Sequence, residues 1–270
     1  MKKILIVYDS GAGSTRLISR AIQERLADGN DVSIEPAVPG FNPGKIDGKD
    51  LLIIGFPTYH CEPSRTILDF IRRVGTKLTG QRVFFFTSYG LYTGNCLRIF
   101  HSELNRFKAV SLGCSQFRSP ASDGILMFSP KIRWLSEFET HLNENLNDFI
   151  SSIRNCEKLP PSKIPPYKWY VPLNELAKIA AVRSYDRMKR KMHILKGSCT
   201  NCNHCVSVCT RNCWSKHDRY PRLNPEDCEF CLGCIHHCPN QAIVFSEKMK
   251  NKPRFNKSFF AQKYARMPDL

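Results

Sequence analysis

The sequence lacks any long apolar run, and this absence excludes several classes of protein. Its longest apolar runs, such as residues 51–57, are far shorter than the roughly 18 to 20 residues of a membrane helix. Only four apolar residues stand directly before Tyr8 and Asp9, too few for the core of a signal peptide. No recognised nucleic-acid module or aromatic-basic motif is present. We therefore expect a soluble protein of the reducing cytoplasm that does not bind nucleic acid.

Acidic residues are outnumbered, and the excess of positive charge is unevenly placed. The chain carries a formal net charge of +16. Its 270 residues are enough for two domains, and an apolar content of 42% supports packed cores. Residues 156–198 contribute +7 and residues 248–270 contribute +6, whereas residues 199–247 between them carry −1. The basic segments could be a solvated surface, or they could attract an acidic partner.

Cysteine is abundant, and eight of the thirteen cysteines fall in two blocks with the same spacing, C-x2-C-x2-C-x3-C. Two-residue gaps let one tight loop place three thiolates around a single iron-sulfur cluster, while the fourth cysteine begins a short helix and ligates the other cluster. On this rule the two [4Fe-4S] ligand sets are Cys199, Cys202, Cys205 and Cys238 for the first cluster, and Cys228, Cys231, Cys234 and Cys209 for the second.

Residues 196–247 resemble the bacterial two-cluster ferredoxins in this spacing. Zinc is the alternative metal, but tetrahedral zinc sites have no use for a third cysteine two residues further on. A disulfide framework would need an oxidising compartment. The segment departs from the ferredoxin pattern at Thr210, where proline is usual, and at Cys213, an additional cysteine that is either a free thiol or a further ligand or redox-active group.

Apolar runs and amphipathic segments alternate through residues 1–153. We predict strands at residues 3–8, 31–38, 50–55, 81–87 and 109–117. Helices are expected after residue 15, near residues 64–74 and 95–107, and over residues 131–153. This alternation is typical of a parallel sheet with helices on both faces. Ligands of such sheets bind beyond the carboxyl ends of the strands.

Residues 9–15, D-S-G-A-G-S-T, join the first strand to the first helix. The helix N-terminus attracts an anion, the glycines allow close backbone approach and the hydroxyls complete a phosphate site. The loop has no lysine and is not G-x-G-x-x-G, which disfavours a Walker-type triphosphate site. An ordinary strand-to-helix turn is the alternative. The predicted phosphate-binding residues are Ser10, Gly11, Gly13, Ser14 and Thr15.

Residues 1–155 resemble the flavodoxins in this loop and in the two loops at residues 56–63 and 88–95. Ser10, Gly13 and Thr15 match the phosphate loop of the family, whereas Ala12 replaces a hydroxyl residue. The second loop matches G-x-P-x-Y at Gly55, Pro57 and Tyr59, and the third matches Tyr-Gly-x-x-x-Gly-Asn at Tyr89, Gly90, Gly94 and Asn95.

The resemblance to flavodoxins implies a site for FMN, with aromatic rings and backbone groups against the flavin. FMN is expected rather than the dinucleotide, because nothing in the sequence is typical of an adenine site. The alternative for the tyrosines is that they only pack loop against loop. The implied flavin-contacting residues are Pro57, Thr58, Tyr59, His60, Ser88, Tyr89, Gly90, Tyr92, Gly94 and Asn95.

The remaining segments connect or extend these two parts. Residues 119–124 are either a lid near the flavin or an ordinary turn. Residues 156–172 are proline-rich and predict a stiff linker, followed by a helix over 173–195 with a basic face. Residues 214–223 predict a hairpin-like insert, and we expect the tail after residue 245 to be mobile or loosely docked. The predicted segments are 1–155, 156–195, 196–247 and 248–270.

The whole chain resembles iron-sulfur flavoproteins that fuse a flavodoxin-like domain to a two-cluster ferredoxin domain. The resemblance implies a doubly wound, five-stranded parallel sheet of order 2-1-3-4-5, joined to a small α+β domain. It implies electron transfer between FMN and two clusters, and between redox partner proteins. No catalytic residue is assigned. Because the sequence shows no second nucleotide-binding unit, direct use of a nicotinamide cofactor is not expected.

Two other functions remain open at this point. FMN could reduce a small substrate with electrons from the clusters, or the flavodoxin-like domain could be an empty docking module. The basic segments predict acidic redox partners, since complementary charge accelerates encounter. An anionic membrane surface is the second choice for the basic, aromatic tail.

Overall fold

The structure of the chain, a computed structural model, describes residues 1–128, 132–156, 160–168, 171–256 and 259–260. Five parallel strands form its central sheet: β1 Lys3–Tyr8, β2 Asp31–Pro36, β3 Leu51–Tyr59, β5 Arg82–Tyr89 and β6 Val110–Arg118. A two-residue strand, β4 Glu62–Pro63, pairs antiparallel with the end of β3. The order is β2-β1-β3-β5-β6, so the predicted parallel sheet of order 2-1-3-4-5 is confirmed.

The sheet carries a hydrophobic core on each face because its strands are apolar at successive positions. In β1, Ile4 and Ile6 point to one core, and Leu5 and Val7 point to the other. Helices α1 Ser14–Ala27 and α6 Leu142–Arg154 cover the first face. Helices α2 Arg65–Val74 and α3 Cys96–Arg106 cover the second. The chain is therefore a three-layer α/β structure over this part.

The prediction of one continuous helix over residues 131–153 is wrong. Residue 131 lies outside the described residues, and the helical segments that follow are α5 Arg133–Ser136 and α6. Between them Glu137 is extended, the side chain of Phe138 is buried in the core, and the N–H of Glu139 donates to the carbonyl of Arg118 at the end of β6 (3.2 Å). Long-range pairing with the sheet edge thus interrupts a helical pattern. A short α4 Gly124–Met127 precedes this region.

The second predicted loop, residues 56–63, is largely a hairpin. Strand β3 continues through Tyr59, and Thr58 pairs with Pro63 of β4. His60 and Cys61 make the turn in the left-handed region, with φ of 51° and 66°. Such values are uncommon for residues other than glycine. The turn holds His60 and Cys61 at the carboxyl end of the sheet.

Within the predicted linker 156–172, residues 160–168 contain no helix, as the prolines predict, but a helix already begins at Val171. The N–H of Ser162 donates to the carbonyl of Ser111 in β6 (2.7 Å), so the segment covers the edge of the sheet. It leads to α7 Val171–Arg190, which confirms a helix here but ends it before the predicted residue 195. Among the helices of the described ranges, none is both long and apolar enough to cross a bilayer.

The cysteine-rich part consists of two equivalent units. The first contains β7 His193–Ile194, α8 His204–Ser207 and β8 Trp214–Ser215; the second contains β9 Arg222–Leu223, α9 Gly233–His236 and β10 Ile243–Val244. Each element of the second unit begins 29 residues after its counterpart (193 to 222, 204 to 233, 214 to 243). The antiparallel pairs are β10 with β7 and β8 with β9, so each pair joins the two units. The pairing of β8 with β9 confirms the hairpin-like insert.

The described part of the tail is packed against the rest of the chain, which corrects the expectation of a mobile or loosely docked segment. Phe255 is fully buried, and its ring stacks on His236 with centroids 5.1 Å apart. Lys252 Nζ donates to the carbonyl of Phe128 (2.8 Å). Residues 257–258 and 261–270 of the predicted tail lie outside the described residues. The buried ring of Phe255 therefore holds a basic segment that was expected to be mobile or loosely docked.

Candidate functional site

A cavity of about 600 Å³ lies at the carboxyl ends of β1, β3 and β5. This is the edge at which parallel α/β sheets bind ligands, and the volume is in the range of small-molecule sites. Twelve of the fifteen predicted cofactor-binding residues line it: Ser10, Gly11, Ser14, Thr15, Pro57, Thr58, Tyr59, His60, Ser88, Tyr89, Gly90 and Tyr92. The structure thus brings the three predicted loops together around one cavity.

The other three predicted residues, Gly13, Gly94 and Asn95, are not among the residues that line the cavity. Gly13 precedes α1 with φ of 113°, a conformation that glycine adopts readily. A Cβ on Gly94 would lie 2.5 Å from the Cβ of Cys61. The side-chain oxygen of Asn95 accepts a hydrogen bond from the N–H of Lys168 in the linker (2.9 Å). These residues shape the loops that form the wall.

The loop between β1 and α1 has hydroxyls held in place and one that lacks a partner. Thr15 Oγ1 and Ser88 Oγ are 2.8 Å apart, and Ser10 Oγ accepts from the N–H of Arg16 (3.2 Å). Ser14 Oγ is buried, and within the described part of the chain it has no hydrogen-bond partner. Because buried hydroxyls are nearly always hydrogen-bonded, this atom indicates a ligand with polar atoms at the start of α1.

Asp9 directly follows β1 and precedes the first cavity-lining residue, Ser10, and the sequence analysis assigned it no role. Its side chain is buried, and its Oδ2 has no partner among the described residues. Burial and, to a smaller extent, the nearby Glu229 raise its pKa, hydrogen bonds from Ser64 and Ser10 act in the opposite direction, and the resulting pKa is about 7. The carboxyl at the base of the loop therefore holds a proton more strongly than a solvent-exposed aspartate does.

Glu229, between the cysteines of the second block, joins the cysteine-rich part to the sheet domain. Its carboxylate accepts from the N–H of Arg65 (2.8 Å) and from Thr66 Oγ1 (2.9 Å) at the first turn of α2. A carboxylate at a helix N-terminus is favoured by the exposed N–H groups and the helix dipole. Arg211 and Asp69 form an ion pair beside it (2.8 Å). These bonds fix the second cysteine loop against α2.

The comparisons with known proteins concern the first part of this structure. A family model described as a flavodoxin domain matches residues 5–95. The flavodoxin of Clostridium beijerinckii is 31% identical over 111 residues, which are 39% of this chain and 78% of that protein. The chain belongs to the flavodoxin family. The matched family model does not extend to the eight paired-block cysteines.

Two solved flavodoxins are also similar to this flavodoxin domain. The solution structure of two-electron reduced Megasphaera elsdenii flavodoxin is 26% identical, and the match covers 42% of this chain and 84% of that one, with a TM-score of 0.39. A flavodoxin from the domain Archaea is 14% identical, and the match covers 57% of this chain and 99% of that one, with a TM-score of 0.44.

The loop of the second cysteine block lies directly on the flavodoxin domain. A Cβ on Gly11 would lie 2.7 Å from the Cβ of Cys231 and 2.8 Å from the hydroxyl of Tyr59. A Cβ on Gly233 would lie 2.7 Å from the carbonyl oxygen of Gly11. Both glycines therefore allow a backbone approach that no other residue permits. Gly11, predicted as a phosphate-loop residue, also forms the contact between the two parts of the chain.

Tyr59 takes a position that its flavodoxin motif does not predict. Its hydroxyl reaches back to Gly11 and lies close to Cys231. Burial raises the pKa of this hydroxyl, and the neighbouring Cys231, Asp9 and Glu229 raise it further. The side chain still lines the cavity, and its hydroxyl end lies between the loop of β1 and the second cysteine block.

The far side of the cavity contains residues that the sequence analysis did not assign. Ser119, Ser122 and Asp123 line it, so the segment proposed as a lid or a turn is part of the wall. Tyr185 of α7 and Phe230 of the second cysteine block complete that side. No local pattern indicates these two residues, because they come from segments remote from the flavodoxin domain in sequence.

Cysteines of the two blocks lie close to one another in at least two places. The pKa of Cys205 is raised to about 11, chiefly by burial, and Cys238 of the other block and Cys202 contribute to the increase. The pKa of Cys228 is lowered first by a hydrogen bond from Cys213, while burial and Cys209 of the first block raise it. The fourth cysteine of each block is thus close to cysteines of the other block.

The backbone of the two units is equivalent around these cysteines. The N–H of Cys213 donates to Cys209 Sγ, and the N–H of Ala242 donates to Cys238 Sγ, both at 3.2 Å. Left-handed residues recur 29 positions apart, at Asn201 and Phe230, Asn203 and Leu232, and Asn212 and Gln241.

Within the described ranges, no group of three or more His, Cys, Asp or Glu side chains is placed to hold a single metal ion.

Proposed function

We propose that the chain transfers electrons between FMN in its flavodoxin domain and two [4Fe-4S] clusters in residues 196–247, and between redox partner proteins. The observation that carries this proposal is the close contact between the phosphate loop and the second cysteine block at Gly11 and Cys231. A flavin site and a cluster site that share a wall are suited to exchange electrons. FMN supplies a group that accepts or gives one or two electrons, whereas each cluster exchanges one.

The residues of the flavodoxin domain fit FMN. The unpartnered, buried hydroxyl of Ser14 and the N-terminus of α1 are suited to a terminal phosphate. Thr15 and Ser10 are held in position by their own hydrogen bonds. Tyr89 and Tyr92 line the same cavity and offer aromatic faces to a flavin ring. These features support FMN without a contribution from a charged side chain in the loop.

The residues of the cysteine-rich part fit two clusters with exchanged fourth ligands. The neighbours of Cys205 include Cys238, and those of Cys228 include Cys209, as the exchanged assignment requires. The proposed ligands are Cys199, Cys202, Cys205 and Cys238 for the first cluster, and Cys228, Cys231, Cys234 and Cys209 for the second. Amide N–H groups that donate to Cys209 Sγ and Cys238 Sγ would stabilise thiolate ligands.

An acidic redox partner is the proposed contact of the basic helix α7. Arg183 and Arg187 are exposed on it, whereas Lys189 and Arg190 are paired with Asp186. The predicted basic face also includes Lys178, whose side chain lies outside the described residues, and Lys191, which is exposed just after the helix. Arg183 and Arg187 thus remain the strongest candidates for contact with an acidic protein surface.

The proposed function is tested by anaerobic purification of the full chain. We expect FMN, together with iron and sulfide in the amounts of two [4Fe-4S] clusters per chain, measured by absorbance, metal analysis and low-temperature electron paramagnetic resonance. The proposal would be contradicted if the purified chain contained zinc in place of iron, or if it bound no FMN when FMN was supplied in excess.

A further inference from the structure

The cavity of the flavodoxin domain is completed by residues from outside that domain. Its lining includes Tyr185 of α7 and Phe230, which stands between Cys228 and Cys231 in the second cysteine block. The side chain of Phe230 is 6% exposed. A residue between two proposed cluster ligands therefore forms part of the proposed flavin pocket.

The backbone of Phe230 is in a conformation that a bulky residue rarely adopts. Its φ is 57°, in the left-handed region, and the equivalent residue 29 positions earlier is Asn201 with φ of 54°. Asparagine tolerates this region, whereas for phenylalanine it is strained. Strain of this kind persists where the surrounding structure imposes it, often at a functional site. At equivalent backbone positions, the first loop thus has Asn201, which suits a left-handed conformation, whereas the second loop has Phe230, which does not.

The ring of Phe230 is held between two other aromatic rings. Its centroid is 5.3 Å from that of Phe245 and 5.3 Å from that of Tyr185. Tyr185 in turn donates from its hydroxyl to Asp123 Oδ2 (2.6 Å), and its ring lies 4.6 Å from that of His60. Each of these distances is typical of interacting aromatic rings. The contacts fix Tyr185 and Phe230 as a continuous wall from the second cysteine block to the β3–β4 hairpin.

We propose that Phe230 and Tyr185 form an aromatic wall of the FMN pocket, so that FMN affinity depends on the second cysteine loop. This inference rests on the proposed function. A flat, largely apolar flavin ring gains contact area from aromatic side chains fixed in advance, because little conformational freedom is lost when it binds. Coupling between two sites is reciprocal, so bound FMN also stabilises the docked position of the loop between Cys228 and Cys231.

The test compares full-length, cluster-loaded chains that differ at equivalent positions of the two loops. Phe230→Asn removes the ring and places in the second loop the residue that the first loop already has. Asn201→Gly is the matched control, because it alters the first loop at the same backbone position and suits a positive φ. FMN affinity is measured by anaerobic fluorescence titration, and iron per chain is measured on the same samples.

We expect the FMN dissociation constant of Phe230→Asn to rise about tenfold, equivalent to about 1.4 kcal/mol, with iron unchanged. Asn201→Gly should keep the wild-type value. An unchanged dissociation constant in an iron-loaded Phe230→Asn chain would overturn the inference. It would leave the proposed function intact, because the wild-type chain would still bind both FMN and iron.

A second variant decides the outcome if Phe230→Asn loses iron. Tyr185→Leu removes the other ring of the wall at a position remote from the cysteines in sequence, so the ligand loops are unaltered. A weaker FMN affinity in Tyr185→Leu with full iron content supports the aromatic wall, and wild-type affinity refutes it. A wild-type chain that binds no FMN at all would contradict the proposed function together with the inference.

Discussion

The absent Cβ of Gly11 would lie 2.7 Å from the Cβ of Cys231, so the loop that follows β1 and the second cysteine block touch at a glycine. Hydrogen bonds from Arg65 and Thr66 to Glu229 hold the same block from the other side. His236 adds a further bond across the boundary, because its Nε2 lies 2.8 Å from the carbonyl oxygen of Ser122. The two parts of the chain are therefore packed together around the candidate site.

Because Gly11 contacts Cys231 so closely, the addition of one methyl group at position 11 should destabilise the folded chain. Gly11→Ala should lower the free energy of unfolding by about 1 to 3 kcal/mol, because the new Cβ overlaps both Cys231 and Tyr59 in a packed interior. Chemical denaturation of the anaerobic full chain measures this change. Gly197→Ala is the control, since nothing lies within 4 Å of the Cβ position there. Equal stability of the two variants would mean that the contact is not close.

Ser14 should contribute to ligand binding more than to folding. Its buried hydroxyl has no partner among the described residues, so Ser14→Ala should leave the stability of the FMN-free chain unchanged or raise it. The FMN dissociation constant should rise roughly 10- to 100-fold, because a hydrogen bond to a charged group contributes about 1.5 to 3 kcal/mol. Fluorescence titration measures it. Ser152→Ala, at an exposed position of α6, is the control and should bind FMN normally.

Asp9 predicts a stability that falls as the pH rises. Its pKa is raised from 3.8 to about 7 in the folded chain, so the folded state binds more protons than the unfolded state between these values. Stability therefore decreases from about pH 4 to about pH 7 and is not lowered further by Asp9 above that range.

Asp9→Asn should remove this dependence and gain most relative to the wild type above pH 7. Urea denaturation of both chains between pH 5.5 and pH 8.5 measures the difference. Glu144→Gln, at an exposed position of α6, serves as the control for loss of one negative charge. A parallel pH profile in wild type and Asp9→Asn would contradict a proton held by Asp9.

Paired substitutions distinguish exchanged cluster ligands from separate ones. If Cys209 ligates the second cluster, the double variant Cys209→Ser/Cys228→Ser loses only that cluster, and about half of the iron remains. The double variant Cys209→Ser/Cys199→Ser should lose the iron of both clusters. Separate sites predict the opposite pattern. Cys114→Ser, outside the two blocks, is the control for a cysteine substitution, and iron and sulfide per chain are the measurements.

The basic helix predicts a salt-dependent reaction with an acidic carrier. Arg183→Glu/Arg187→Glu should slow electron transfer at low salt and flatten its dependence on ionic strength, because exposed charges are screened over about 10 Å at 0.1 M. Stopped-flow kinetics measures both effects. Arg20→Glu/Lys108→Glu, at exposed positions of the flavodoxin domain, is the control for the same change of net charge. Removal of the tail after Glu247 is a poorer test, since it would delete the buried Phe255. If the rates depend on neither ionic strength nor charge reversal, the basic residues of α7 form only a solvated surface.

The pattern of apolar runs predicted the parallel sheet, the resemblance to flavodoxins implied its strand order, and both placed three loops at one edge. Continuous apolar runs specify buried parallel strands, and the carboxyl ends of those strands meet at one edge, so Ser10, Thr58 and Tyr89 come together without further information. Regular cysteine spacing likewise predicts the cluster ligands, which stay a prediction.

The contacts between the two parts of the chain could not be predicted from the sequence. The helical pattern of residues 131–153 is broken because Glu139 bonds to the end of β6, and the tail is held because Phe255 fills a gap beside His236. Phe230 and Tyr185 reach the cavity through packing between segments far apart in sequence. Such contacts depend on the shapes of two surfaces after each has folded, and local periodicity carries no information about them.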